Sequence, residues 1–469
     1  MNRILPALLG LLVLGHAPGF AQEPLTLEEL LDASADSVPV ILEARSRVAQ
    51  REAQLNASQG AFDRQFSTVS RSRAAGFYGL SFIDSRLAQP LRHLGGEVYA
   101  GYRISDGDFP VYEDEYVTLG AGEFNFGATL PLLRNREIDR RRMAVRDNVL
   151  NLEMAQLDQL LAGLSVQHDA MTAYWNWVAA GRQLVVFEDL QSLAMNRISA
   201  LSTRVAEGDL ADINLVENQQ QFFARRAAVV SAQRVLDNAA LALSLYFRDA
   251  DGEPTVPARE RLPENFPLPQ DATGLEPLAD LALALDRQVE LALIDRRIEL
   301  AANRQRLARN DLLPSVDLDL KVARDFGGGS PTRDETDLFV GINVSVPLER
   351  RRARGEQAAA EAEMRALSQR RRMMTDQLRA QISQLSNTIE AARTTARLAG
   401  GERALALQLE EAEQTRFREG ASSFFLLNQR EDATADARLK EVSALAQYHR
   451  AVTDYLATTA DFEALRVAQ

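Results

Sequence analysis

The sequence predicts a mainly α fold with membrane β: long antiparallel coiled-coil helices joined to about four β-strands. Three observations predict it. A strand of alternating character runs through one proline into a long helical pattern, and it does so twice. Inside each long helical pattern, apolar residues recur at the heptad spacing of packed helices. The strands are about as long as a bilayer is thick, while no stretch after the N terminus is apolar for the roughly 18 residues of a spanning helix.

Leu25 to about Gly60 reads as helix, with Thr26 placed to cap it and Glu28 and Glu29 in the first turn. Phe62 to Arg73 is a weaker strand. Residues 74–96 are rich in Gly and Ser and read as an extra strand or an external loop. Val98, Ala100, Tyr102 and Ile104 alternate with Glu97, Tyr99, Gly101 and Arg103, which is period two. A turn-rich loop follows over 105–114. The next strand runs from Val117 to Leu130, with a frame shift near Gly122 that a bulge would explain. Pro131 ends it, and Arg134, Arg136, Arg140, Arg141 and Arg142 lead into a helical pattern to Glu207. Leu157, Leu161, Leu164, His168, Met171, Trp175 and Val178 form its seam, on which His168 reads as a packed core residue. Gly208 breaks the pattern, and residues 211–247 form a further helix.

Pro254, Pro257, Pro263, Pro267 and Pro269 then mark a connector over 248–275. Beyond it the order repeats. Residues 276–310 are helical. Val316, Leu318, Leu320 and Val322 alternate with Asp317, Asp319 and Lys321. After a Gly-rich turn, Leu338, Val340, Ile342, Val344 and Val346 alternate with Phe339, Gly341, Asn343 and Ser345. Pro347 ends that strand, and Arg350, Arg351, Arg352 and Arg354 precede a helix to Glu419 whose seam is Leu378, Ile382, Leu385, Ile389, Ala392, Ala396 and Ala399. Gly420 breaks it, and a last helix runs to about Leu465. A 70-residue helix would be roughly 100 Å long, so Gly181 and the pair Gly400–Gly401 are plausible points of division. The prolines lie 347 − 131 = 216 residues apart and the breaking glycines 420 − 208 = 212, so the chain reads as a duplication. Residues 22–247 form the first repeat and 276–465 the second.

Composition narrows the function. A net charge of −13 disfavours a nucleic-acid partner. The absence of cysteine excludes disulfides, thiolate metal sites, cysteine nucleophiles and an N-terminal lipid anchor. Arg3, the apolar run Ile4–Leu14 and the small-x-small site Gly19–Phe20–Ala21 read as an export signal over 1–21. A chain with such helices and about four strands does not bury itself alone. Four strands leave two open edges, which lipid does not tolerate. Two copies would give about eight strands, and three about twelve with room for an aqueous lumen. Alternation by itself fits a soluble sheet with one wet face equally well.

The pieces LTLEELLDASADSVPVILEARSRVAQREAQL, TLPLLRNR, VSVPLERRRARGEQAAAEAE, RVAEGDLADI and RFREGASSFFLLNQRE, in that order, resemble the TolC-type family of outer-membrane efflux and secretion channels. The similarity spans nearly the whole mature chain. It implies a homotrimer in which three protomers close a 12-stranded outer-membrane barrel continued by a helical tunnel in the periplasm of a Gram-negative cell. It also implies a periplasmic adaptor, an inner-membrane transporter and outer-membrane lipid as partners, no cofactor, and passage of small molecules or secreted proteins. The competing class is a structural periplasmic coiled-coil or adaptor protein without a barrel.

The sites follow. No catalytic pattern is present, no two histidines lie at metal-ligand spacing, and no P-loop or dinucleotide motif occurs. The resemblance marks Pro131 and Pro347 as strand-to-helix junctions. It marks Gly208, Asp209, Leu210, Ala211, Gly420, Ala421, Ser422 and Ser423 as hairpin tips that dock a partner, against the plain reading of helix-breaking turns. Asp317, Asp319, Lys321 and Asn343 are the lumen-facing candidates. The arginine runs after each proline line the tunnel, bind lipid phosphates, or form a solvated face. An acidic gate past the second tip is not expected, because Asn428 and Gln429 stand where acids would sit.

Overall fold

A computed structural model describes residues 23–73, 75–269 and 277–467, with side chains of 277–280 left aside. The expected signal, 1–21, the end of the connector, 270–275, and the first residue of the second repeat, 276, lie outside these residues.

The chain begins with α1 (Leu27–Ser37) and α2 (Pro39–Gln59). Thr26 caps α1, its hydroxyl accepting from the Glu29 amide at 3.1 Å. Pro39 divides the expected single helix, since proline fits the first turn of a helix and not its interior. Next come β1 (Gln65–Arg73), β2 (Leu80–Pro90), β3 (Glu97–Gly107) and β4 (Glu123–Pro131). The long helix α3 (Arg140–Ala206) and α4 (Asp212–Ser244) form the first hairpin. After the connector, α5 (Pro277–Arg287) and α6 (Val289–Asp311) lead to β5 (Ser315–Asp325) and β6 (Thr336–Ser345). The second hairpin is α7 (Arg351–Arg418) and α8 (Phe424–Thr458).

The six strands form one antiparallel sheet in the order β1-β2-β3-β4-β5-β6. The expected count of about four is therefore corrected to six. The difference lies in the first repeat, where the weaker strand over 62–73 is a full member of the sheet as β1 and the segment 74–96, read as an extra strand or a loop, contributes all of β2, so the two repeats hold four and two strands. The expected strand over 117–130 begins only at Glu123. Gly122 sits at φ +80° in the turn before it, so the frame shift marks a turn rather than a bulge.

Neither long helix divides. α3 has 67 residues and α7 has 68, about 100 Å each at 1.5 Å per residue. Gly181 serves the connector instead: a Cβ there would come within 2.4 Å of Leu262 Cδ1. The connector packs beside the helices through Phe266, whose ring stacks against both Trp175 and His449. The principal core lies here, with Tyr174, Trp175, Trp177, Val178 and Leu184 of α3 packed against α4, α8 and the N-terminal helix. The second seam is buried as its spacing predicts: Leu378, Ile382 and Ile389 pack against Tyr448, Ala451 and Tyr455 of α8. Among the described residues no helix is long and apolar enough to cross a membrane.

Candidate functional site

The sheet has two faces of opposite character. Residues opposite one another in an antiparallel pair share a face, so the register assigns them. Val340, Ile342 and Val344 lie opposite Leu320, Leu318 and Val316. Leu318 and Leu320 lie opposite Leu130 and Ala128, and Ala128 opposite Val98. In the adjoining row Val322 lies opposite Phe126, then Ala100, Leu87 and Phe66. This apolar band is open to the surroundings, with Val340 and Ile342 64% exposed and Phe66 71%.

The opposite face carries charge. Arg103 bonds Asp84 at 2.7 Å, Arg86 bonds Glu97 at 2.6 Å, and Lys321 bonds Glu123 at 3.1 Å. Asn343 donates to Asp319 at 2.5 Å, and Thr129 donates to its other oxygen at 2.7 Å. Asp317, Asp319, Lys321 and Asn343 thus share the polar face; the last three are bound across strands, while Asp317 accepts from Ser315 of its own strand at 2.9 Å. A soluble sheet would cover its apolar face with helices. Here the helices lie beyond the strand ends: the apolar face is left open, and the polar face is covered only in part, by the segment 108–121, whose Tyr116 ring stacks on the buried Phe82.

At the first junction Pro131 is the last residue of β4, and the Leu132 amide bonds the Val316 carbonyl at 2.7 Å. Asn135 takes φ +70°, and Arg350 takes φ +50° just after Pro347. These left-handed residues turn the chain from strand to helix at both places. Arg142 is committed to structure: its guanidinium donates to the carbonyls of His93 and Arg136 and to the Asp139 carboxylate, stapling the β2–β3 turn to the start of α3. Arg134, Arg140, Arg141, Arg350 and Arg352 line a cavity of about 540 Å³ between the two junctions, with Asp139 and Asp311.

The tips lie at the far ends of the hairpins from the strands. Gly208 and Gly420 take φ +79° and +75°, and nothing lies within 4 Å of where a Cβ would stand on either. The same closure forms at both: the Asp209 amide bonds the Arg204 carbonyl at 2.9 Å, and the Ala421 amide bonds the Arg416 carbonyl at 2.8 Å. These are helix C-caps that require a left-handed residue. Asp209, Ala211, Ala421 and Ser423 are exposed, and Leu210 and Ser422 half-buried. Ser423 also caps α8, accepting from the Leu426 amide at 3.3 Å, while Ser422 donates to Glu413.

A buried charge cluster behind the tips was not foreseen. Glu431 of α8 has a fully buried side chain, gripped by Arg197 of α3 and by Arg225 of α4 at 3.3 Å. Arg225 also bonds Asp432 at 2.9 Å, and Arg197 bonds Asn428 at 3.1 Å. The cluster ties the first hairpin to the second. Its signal was present: Phe424, Leu427, Glu431 and Thr434 fall on one helical face, so a carboxylate occupies an apolar seam. Burial, with Glu431 nearby, pushes the Glu410 carboxyl above its ordinary range.

His168 is not a packed core residue as its seam position suggested. Its ring is partly exposed and bridges Asp454 at 2.8 Å and Asp169 at 3.0 Å. Desolvation alone would lower its pKa, but hydrogen bonds to the two carboxylates outweigh it and raise the pKa above the ordinary histidine value. His449 is the packed histidine. It stacks on Trp175 at 4.2 Å between centroids, and burial lowers its pKa despite the Pro267 carbonyl at 2.9 Å. Among the described residues no three metal-ligating side chains come together.

Open sheet, junctions and helical hairpins together make the fold of the outer-membrane channels of known structure, the TolC-type fold expected from the sequence. The chain is similar to the Campylobacter jejuni CmeC outer membrane channel at 14% identity and TM-score 0.63, covering 92% of this chain and 85% of that one. It is similar to the Vibrio cholerae outer membrane protein VceC at 13% identity and TM-score 0.63, covering 92% and 95%. The open state of the Neisseria gonorrhoeae MtrE outer membrane channel matches at 13% identity and TM-score 0.63, covering 92% and 88%. No family model matches the sequence, and no curated protein matches it.

Proposed function

We propose that this chain is the protomer of a trimeric outer-membrane channel, an exit duct for small molecules or secreted proteins. One observation carries the reading: a sheet with one mainly apolar, uncovered face and one laddered polar face that no α-helix covers, with two open edges. Lipid on the apolar side and a water-filled lumen on the polar side satisfy both faces, and only closure with further copies satisfies the edges. Asp317, Asp319, Lys321 and Asn343 then face the lumen. The hairpins continue the duct into the periplasm, where Gly208–Ala211 and Gly420–Ser423 dock an adaptor protein and, through it, an inner-membrane transporter that supplies the energy. The fold of the similar outer-membrane channels supports this reading.

The test is membrane fractionation with heat-modifiable migration. Outer-membrane recovery, migration that shifts on boiling, and cross-linking that stops at three copies are expected. Recovery as a soluble periplasmic monomer would leave only the coiled-coil reading. A deletion strain, scored for drug sensitivity and for secreted proteins, separates efflux from export.

A further inference from the structure

We propose that three copies close a barrel of three times six, 18 strands, in which β6 of one copy pairs antiparallel with β1 of the next. This rests on the trimer read above and departs from the twelve strands that the family resemblance implies. The departure comes from the β2–β3 hairpin, which belongs to the wall. Its strands pair with both neighbours: β2 with β1 over Leu80–Ala88 and with β3 throughout, and β3 with β4 over Glu97–Arg103. Its outer side continues the apolar band through Ile83, Leu87, Val98 and Ile104, and its inner side carries the Arg103–Asp84 and Arg86–Glu97 ladders.

The two edges fit one another. All nine residues of β1 and all ten of β6 are exposed. β6 carries no Lys, Arg or Pro, the residues that guard an edge strand in water. An even strand count makes β1 rise from the periplasmic side and β6 return to it. Copies related by rotation therefore set the two side by side in opposite directions, whereas an odd count would force a parallel seam.

The register follows from length and face. Even-numbered residues point outward on both strands, because Phe66 and Val340 lie on the apolar face. Pairing every residue of β1 places Gln65 opposite Ser345, Thr68 opposite Ile342, and Arg73 opposite Asp337. Faces then match throughout, and Arg73 meets an opposite charge. The row of partners from Gln65 runs through Ala88, Tyr99, Gly127 and Lys321 to Phe339. Phe339 is six residues from Ser345, so each copy adds six residues of stagger over six strands. With rises of ~3.3 Å and strand spacings of ~4.8 Å, the tilt is about 35°, within the range of closed barrels. The backbone radius is then about 17 Å, against about 11 Å for twelve strands at the same tilt.

The cysteine-free chain makes the test clean. Thr68→Cys with Ile342→Cys, and Ser67→Cys with Asn343→Cys, are placed in otherwise unaltered chains. Neighbouring antiparallel positions alternate between hydrogen-bonded and non-hydrogen-bonded pairs, and both spacings lie within disulfide reach. Oxidised outer membranes should give covalent species up to three chain masses and none larger, with no product from single-cysteine variants. A cross-section of the wild-type channel by electron cryomicroscopy should count 18 strands. Trimers by native mass with no cross-link in either pair overturn the seam, and a twelve-stranded wall with residues 80–107 outside it overturns the count of 18; both leave the channel reading standing. A native mass of two chains, cross-linked or not, overturns the trimer and with it the count of 18.

Discussion

Replacing outward residues of β6 with arginine tests the membrane reading at graded depth. Val344, Ile342 and Val340 lie one, three and five residues before Ser345, at the end of the strand nearest α7, which the proposed function sets on the periplasmic side. At a tilt of about 35° each residue climbs about 2.7 Å, so the three stand about 3, 8 and 14 Å above that end. The apolar band of an outer-membrane barrel is about 25 Å tall, which puts Val340 at its middle and Val344 at its rim. Arginine at the midplane costs about 2–4 kcal/mol, and near the rim about 0–1 kcal/mol. All three side chains are 63–64% exposed in the single chain, so in water the same changes would each stay within about 0.5 kcal/mol. Val340→Arg should therefore lower the yield of assembled channel about 100-fold at 3 kcal/mol, Ile342→Arg less, and Val344→Arg little. Asn343→Arg points the other way, toward Asp319, and should be tolerated. The assay is the urea dependence of folding into liposomes, read by heat-modifiable migration. Equal tolerance of all three outward arginines, or a larger cost at 344 than at 340, would refute the lipid-facing assignment.

Three further outcomes are expected. Arg225→Ala strips one partner from the fully buried Glu431 but leaves Arg197, so it should cost about 2 kcal/mol, below the range for a wholly abandoned buried charge, while Arg225→Ala on a Glu431→Gln background should cost less; a double-mutant cycle on hydrogen exchange near the tips measures the difference, and additive effects would deny the coupling. Bulky replacements at Ala421, and Gly420→Val, with about 1–3 kcal/mol of backbone strain in the latter, should leave trimers assembled but abolish transport; transport that survives alongside normal trimer yield would make the tips mere turns. Because the folded pKa of His168 is raised, its bridge to Asp454 and Asp169 stabilises the helices fully below the unfolded value near 6.5 and fades as pH rises through the folded pKa; thermal unfolding of His168→Asn should lose that pH dependence, and an unchanged profile would remove the histidine from it.

Local pattern fixed much of this protein. Period-two alternation located β3, β5 and β6 because a strand's two faces meet different media, and that difference is written residue by residue. Heptad spacing located the seams of α3 and α7, and the two glycines located the tips, since a left-handed C-cap is a local demand on one residue. Tertiary structure decided what depends on partners distant in sequence. β2 was left open between a strand and a loop because its outer face mixes Ile83 and Leu87 with Ser85, and only pairing with β1 and β3 makes it a strand. Gly181 and His168 were misread for the same reason: a glycine can break a helix or admit Leu262, and a seam histidine can be packed or face two aspartates. Glu431 shows the limit most plainly. A carboxylate on an apolar seam is unfavourable until Arg197 and Arg225, more than 200 residues away, arrive to neutralise it, and only the packing of one hairpin against the other brings them there.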